Sequence, residues 1–213
     1  MQGCVSSVKD QGPCGACWAF GAVASMEFAC CDHKVGVNQL SEQQLLDCDR
    51  SGSNAACMGG WYDTAWEYII VNEGANSAAD YPYRARAGTC KDDEFDLICT
   101  VTGCVGGIHD FCEDNGLVGD EEELQKMLNG QPVTVAVDAS SFQFYSSGIL
   151  DCHNSHSLNH AVFAVGYTED SWIVKNSWGT SWGETGYIRI GRGIPFPGNP
   201  CGIADYPAYA VAE

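Results

Sequence analysis

Cys17 stands where a turn gives way to an apolar run, in Gln11-Gly12-Pro13-Cys14-Gly15-Ala16-Cys17-Trp18-Ala19-Phe20. Gly12-Pro13 is a turn signal. Residues 17–30 are rich in Ala, Phe, Val and Met and contain no Pro, which reads as a helix. A thiol reacts as its thiolate, and a helix N-terminus favours that form through its unpaired amides and its dipole. The position therefore suits an activated sulfur. Three other uses fit the segment taken alone: a buried structural thiol, half of a disulfide, or a redox pair with Cys14. A redox pair belongs after a strand in a βαβ unit, and only a few polar residues precede this one.

Two further segments carry groups that could serve such a sulfur. Leu158-Asn159-His160-Ala161-Val162 puts a histidine at the entrance of an apolar strand. A lone histidine there is more often structural than catalytic. His153, His156 and His160 also form a loose cluster. The 156/160 spacing resembles a zinc protease helix, but Ser157 follows His156 where that chemistry needs a Glu. The third segment is Trp172-Ile173-Val174-Lys175-Asn176-Ser177-Trp178-Gly179-Thr180-Ser181-Trp182-Gly183. An asparagine between tryptophans can orient an imidazole away from water. An aromatic turn with core tryptophans would look the same.

The elements that must position these groups change character along the chain. The first half reads helical. Leu40-Ser41-Glu42-Gln43-Gln44-Leu45-Leu46 carries a capping box, with Ser41 as N-cap and Gln44 three residues on. Residues 61–71 put Tyr62, Ala65, Trp66, Ile69 and Ile70 at helical spacing, and Gly74 ends them. Residues 120–129 read as one more capped helix, stopped by Gly130. Strand-like runs follow at 133–137, 161–167, 171–175 and 186–190. Helices followed by strands predict an α+β fold of two unlike lobes with a cleft between them.

The chain has 213 residues, 45% of them apolar, which suits one domain or two tightly packed lobes. Apolar stretches such as 161–165 are far too short to span a bilayer. No basic-then-apolar leader opens the sequence, which reads as a processed or trimmed chain. The formal charge of −18, from 28 acidic and 10 basic residues, argues against nucleic acid and anionic membrane as partners. Much of the excess lies in Asp92-Asp93-Glu94-Phe95-Asp96 and in Asp120-Glu121-Glu122-Glu123 with Asp110, Glu113 and Asp114, and reads as solvated faces. The 13 cysteines point to an oxidising compartment. Their odd number leaves at least one without a partner in the chain, and one reactive thiol plus six bridges is the simplest division. A zinc protein would want a second C-x-x-C pair beside Cys14 and Cys17, and none is present.

Taken together, the Cys17, His160 and Asn176 segments form a recognised set: Cys-Gly-Ala-Cys-Trp early in the chain, with His and Asn far downstream. The sequence resembles the papain-like (cathepsin L/papain type) cysteine proteases from about residue 8 to residue 207. Other segments that carry the resemblance are Leu40-Ser41-Glu42-Gln43-Gln44-Leu45-Leu46-Asp47-Cys48, Cys57-Met58-Gly59-Gly60, Tyr81-Pro82-Tyr83, Gln131-Pro132-Val133, Lys175-Asn176-Ser177-Trp178-Gly179 and Trp182-Gly183-Glu184.

The resemblance implies a cysteine endopeptidase, with a helical left lobe (about 5–113), a β-barrel-like right lobe (about 114–207) and a C-terminal crossover (208–213). It implies Cys17 as nucleophile, His160 as its acid/base partner, Asn176 as the residue orienting that histidine and Gln11 as an oxyanion-hole donor. Trp178 and Trp182 would support them. Gly15, Gly59 and Gly60 would lie along the extended substrate, with Trp61, Tyr62, Ala136, Leu158, Asn159 and Ala161 around the specificity pocket. Tyr206 would floor that pocket and make it shallow and apolar, whereas a shift of one residue would put Asp205 there and admit Arg. Three disulfides are implied: Cys14–Cys57, Cys48–Cys90 and Cys152–Cys201. Cys4, Cys30, Cys31, Cys99, Cys104 and Cys112 leave room for three more, and residues 99–112 read as an insertion stapled by cysteines. No cofactor and no metal are implied. The partners would be peptide or protein substrates and cystatin-like or propeptide inhibitors, met by a monomer in a lysosome or vacuole or outside the cell.

Some features depart from the family pattern. Met1-Gln2-Gly3-Cys4 stands where the family's mature chains carry an earlier Asp-Trp-Arg segment, and the inhibitory prosegment is absent from the sequence. No Asn-x-Ser/Thr sequon occurs, nor the paired-His loop of the dipeptide-removing relatives. Two rivals come from other classes: a catalytically silent relative, and a disulfide-rich binding protein in which Cys17 is bridged. The retention of Gln11, Cys17, His160 and Asn176 speaks against the first.

Overall fold

The computed structural model describes residues 3–31, 39–109, 111–113, 120–152, 157–193 and 198–212. His153, His156, Asp110 and Asp114 lie outside the described residues. Helix α1 (Cys17–Ala29) is buried on nearly every side, including Ser25 and Glu27. A helix apolar all round belongs inside a core. It is crossed by α2 (Glu42–Cys48) and α3 (Tyr62–Val71), where Trp66 donates its indole N–H to the Ala22 carbonyl at 3.1 Å. Helix α2 is capped as expected, with Ser41 Oγ accepting from the Gln44 amide at 3.0 Å. The reciprocal half of the box is not made. The Gln44 side chain accepts from Asn76 N at 2.8 Å and so ties α2 to strand β1 (Ala75–Asn76).

Strand β2 (Leu97–Cys99) pairs with β1. The remaining strands, β3 (Val101–Gly106), β4 (Val133–Val137), β5 (Ile149–Leu150), β6 (His160–Tyr167), β7 (Ser171–Lys175), β8 (Tyr187–Gly191) and β9 (Ala208–Ala212), form one sheet in the order β3-β9-β4-β6-β7-β8-β5. Helix α4 (Glu121–Gly130) starts at Asp120, whose carboxylate caps the Glu122 amide at 2.8 Å, and Gly130 is its last residue rather than its stop. The fold is α+β. Strands β3 and β9 lie outside the strand-like runs of the sequence, and their ladder packs Val101, Ala208 and Ala210 against the helical half.

The described residues form two cores. The first gathers α1, α2, α3, Val101, Ala208 and Ala210. The second gathers Leu124, Val133, Val135, Val137, Trp172, Val174, Ile188 and Ile190. Strand β4 lies at the seam between them. Its odd-numbered valines enter the second core, while Ala136 joins the first and Thr134 donates to the Gly21 carbonyl of α1 at 2.8 Å. This is the two-residue period of a strand buried on both faces. Its partner β6 has the matching register, Ala136 opposite Ala161 and Val137 opposite His160. His160 and Ala161 therefore arrive at the mouth of the seam, beside the start of α1.

The N-terminal segment crosses the same seam. Gln11 N donates to Ser177 O at 2.9 Å, and Gly179 N to Lys9 O at 3.0 Å. Lys9 bonds Glu27 of α1 at 2.6 Å and Glu42 of α2 at 2.5 Å, while Lys175 of β7 donates to Ser6 O and Ser6 Oγ at 3.1 and 2.9 Å. Burial pulls Lys175 down to about 8, with Glu27 working against it.

Six disulfides join Cys4–Cys31, Cys14–Cys57, Cys30–Cys99, Cys48–Cys90, Cys104–Cys112 and Cys152–Cys201, and Cys17 alone is free. Each bridge contributes roughly 2–4 kcal/mol by restricting the unfolded chain.

Candidate active site

Cys17 is the first residue of α1. No side chain caps that end, so the amides of Cys17 and Trp18 remain open to the sulfur. Burial pushes the thiol pKa up, and the backbone amides of Ala161, Trp18 and Cys17 itself pull it back down. One of these donors comes from β6, so the strand that carries His160 also reaches the sulfur.

His160 is 7% exposed. Its Nε2 lies 2.8 Å from Asn176 Oδ1, and that same oxygen accepts from the Ser177 backbone N–H at 2.8 Å. A backbone N–H can only donate, which fixes the atom as oxygen and makes Nε2 the donor to it. In the neutral ring the proton is therefore on Nε2, and Nδ1 carries the lone pair. Burial lowers His160 to about 4, and the bond to Asn176 works upward. Trp178 covers the imidazole at 4.9 Å between ring centroids, and Trp182 stands 5.2 Å behind Trp178. Phe142 meets both His160 and Trp178 edge-on, at 6.4 and 6.2 Å.

Gln11 is buried and held at both ends of its amide. Oε1 accepts from Ser177 Oγ at 2.7 Å, and Nε2 donates to Cys14 O at 2.9 Å. One Nε2 hydrogen remains. Ser177 thus orients Gln11 with its hydroxyl and Asn176 with its amide, a part that spacing alone does not reveal.

A cavity of about 170 Å³ is lined by Cys17, Gly59, Gly60, Trp61, Tyr62, Ala136, Leu158, Asn159, His160 and Ala161. Gly59 has φ +112°, and a Cβ built there would meet nothing, so the chain lies open to the cleft. A Cβ on Gly60 would fall 2.2 Å from Asn54 Oδ1. That oxygen accepts from Trp61 N at 2.6 Å and holds the wall in place. Gly15 is not among the lining residues. It donates to Cys57 O at 3.1 Å, and a Cβ would meet that oxygen at 2.5 Å, so it lets the Cys57 turn pack close to the start of α1.

Tyr206 and Asp205 are also absent from the lining. The Tyr206 carbonyl accepts from the Tyr62 hydroxyl, and its ring stands edge-on to Trp61 at 5.9 Å. Asp205 is taken by Asn199 Nδ2 at 2.7 Å. Among the described residues, the one cluster with three candidate metal-ligand atoms is Cys48, Cys90 and Asp92, and its two sulfurs are bonded to each other.

The geometry is that of a thiol and a buried, oriented base facing one groove. A family description, papain family cysteine protease, matches residues 1–211. Stem bromelain of Ananas comosus is 43% identical over 212 residues, 99% of this chain and 94% of that one. A solved structure of bromelain from Ananas comosus with a bound inhibitor superposes with a TM-score of 0.84, at 43% identity, covering 99% of this chain and 95% of that one. A recombinant stem bromelain precursor gives 0.85 at 43% identity, covering 99% of this chain and 68% of that one.

The Asn176 bond can be tested directly. A hydrogen bond to a charged ring is worth about 1.5–3 kcal/mol, so Asn176→Ala should slow alkylation of Cys17 by iodoacetamide roughly tenfold or more. Without the upward pull of Asn176, His160 holds a proton less firmly. The alkaline limb of the rate–pH profile should therefore move to lower pH. An unchanged profile would remove Asn176 from the site.

Proposed function

The chain belongs to the papain family of cysteine proteases, and from that premise we propose how its cleft cuts a peptide bond. The protein is a cysteine endopeptidase. The observation that carries the residue assignment is that the one free thiol among the cysteines shares a cavity with a histidine whose protonated nitrogen is turned away by Asn176. Cys17 Sγ passes its proton to His160 Nδ1. Each group alone is held neutral by burial, but the transfer makes two adjacent opposite charges that stabilise each other where the dielectric is low.

The thiolate attacks the scissile carbonyl carbon. The oxyanion is met by the Cys17 backbone N–H and the remaining Nε2 hydrogen of Gln11. His160 then gives its proton to the leaving amine, and the acyl group stays on sulfur as a thioester. Water, deprotonated by His160, attacks the thioester and releases the acid and the free enzyme. Trp178 and Trp182 keep water from the His160–Asn176 bond.

The substrate lies extended along Gly59 and Gly60. Trp61, Tyr62, Ala136, Leu158 and Ala161 take the side chain of the second residue before the cut, with Asn159 at the rim. The apolar walls favour medium aliphatic or aromatic side chains there, and Tyr206 contributes by backing Trp61. Partners are peptide and protein substrates. Cystatin-like and propeptide inhibitors would fill the same groove, in keeping with the inhibitor-bound and precursor forms of the bromelains. We assign the lobes to about 5–113 and 114–207 with 208–213 crossing over. We expect a monomer working in a lysosome or vacuole or outside the cell. The disulfides suit an oxidising compartment, and no helix among the described residues is long and apolar enough to cross a membrane.

A thiol-directed epoxide should modify the native protein once, at Cys17, and abolish peptide hydrolysis together with the labelling. A native protein left unmodified would support a silent or bridged relative instead. Gln11→Ala should lower kcat about 10²–10³-fold with the fold intact, the usual cost of one oxyanion-hole donor. An unchanged kcat would take Gln11 out of the oxyanion site.

A further inference from the structure

Trp61 forms a wall of the cavity, yet it follows two glycines, one of them at φ +112°. What fixes its ring lies partly outside the segment that carries it. Three ring edges meet it: Tyr62 at 6.0 Å, Tyr206 at 5.9 Å and His109 at 6.4 Å. His109 comes from the turn closed by the Cys104–Cys112 disulfide and by reciprocal backbone bonds, Gly106 N to Glu113 O at 3.0 Å and Glu113 N to Cys104 O at 2.9 Å.

That turn is gripped by a single fully buried carboxylate, Asp63, in the first turn of α3. Asp63 Oδ2 accepts from Ile108 N at 2.8 Å, His109 N at 3.0 Å and His109 Nδ1 at 2.9 Å, while Oδ1 accepts from Thr64 N at 2.9 Å. Gly107, at φ +94°, lies so close that a Cβ would stand 2.7 Å from Oδ2. The backbone also joins the cluster to the other support of Trp61, since Gly107 N donates to Pro207 O at 3.2 Å.

We propose that the Cys104–Cys112 turn is a clamp on the substrate pocket, in which Asp63 holds His109 and His109 positions Trp61 for a bulky side chain at the second residue before the cut. His109 and Asp63 are positioning residues. They act through Trp61 on how well the pocket holds an aromatic or large aliphatic side chain, and a small side chain that leaves the Trp61 wall untouched gains little from them. The inference rests on the proteolytic reading above and adds a selectivity device to it.

Two peptides identical except for phenylalanine or alanine at that position test it, with the iodoacetamide rate at Cys17 read alongside as a report on the thiol. His109→Ala should lower the phenylalanine-to-alanine ratio of kcat/KM about threefold to tenfold, the worth of one edge-to-face ring contact, with the loss carried by KM. His109→Phe keeps a ring against Trp61 and should restore most of the ratio. Gly107→Ala, which presses a methyl group onto Asp63, should reproduce the His109→Ala loss without removing the ring. A ratio that stays at the wild-type value in His109→Ala and Gly107→Ala, or a His109→Phe enzyme no better than His109→Ala, would overturn the clamp. A wild type that cuts neither peptide would instead overturn the proteolytic reading on which it rests.

Discussion

One oxygen atom sets the chemistry of the cleft. Asn176 Oδ1 takes the Ser177 amide and the Nε2 proton of His160 at the same time. Because the amide can only donate, the neutral histidine has no freedom of tautomer, and its basic nitrogen is the one the proposal pairs with the sulfur. Everything around that oxygen keeps it dry and fixed. Trp178 lies over the imidazole, Trp182 backs Trp178, and Phe142 closes the edge. The Ser177 hydroxyl extends the same constraint to Gln11, so the base and the proposed oxyanion donor are aligned by one residue.

The energetics suit two proposed reacting groups that come from opposite sides of a seam. Burial raises the thiol and lowers the imidazole, so neither would ionise alone at neutral pH. In the proposed mechanism the pair ionises together, which leaves the net charge unchanged. The helix α1 end and the Ala161 amide already favour the thiolate. The seam must then be rigid enough to hold both sides in register. Strand β4, buried on both faces, and the Lys9 bonds to Glu27 and Glu42 provide that rigidity.

Much of this is legible in the sequence because it is local. The turn before Cys17, the Ser41 cap and the strand runs at 133–137 and 171–175 follow from residue types and spacing. The α+β class follows from their order. What escapes is what depends on distant pairing. Gln44 reads as the second half of a capping box, but Asn76 offers it a better use. Val101-Thr102-Gly103-Cys104-Val105-Gly106 gives little strand signal, with two glycines and a cysteine, until β9 arrives from the other end of the chain to pair with it. The resemblance puts Tyr206, or Asp205, at the pocket floor, while the edge-on contact of Tyr206 with Trp61 depends on a pairing far along the chain. The tautomer of His160 is set by a backbone amide, and no residue type announces it. The Asp63–His109 contact joins residues 46 apart across a turn whose cysteine pairing the sequence leaves open.

Because Cys17 is the one free thiol, its ionisation can be followed by the ultraviolet absorbance of the thiolate against pH, with the contribution of the nine tyrosines subtracted by the same titration of Cys17→Ser. In the intact enzyme the thiolate should persist well below the range in which ordinary thiols ionise. In His160→Ala it should appear only at the higher pH expected of a buried, unassisted thiol. If the two proteins titrated alike, the sulfur and the imidazole would not share a proton, and Cys17 and His160 would not form the proposed pair.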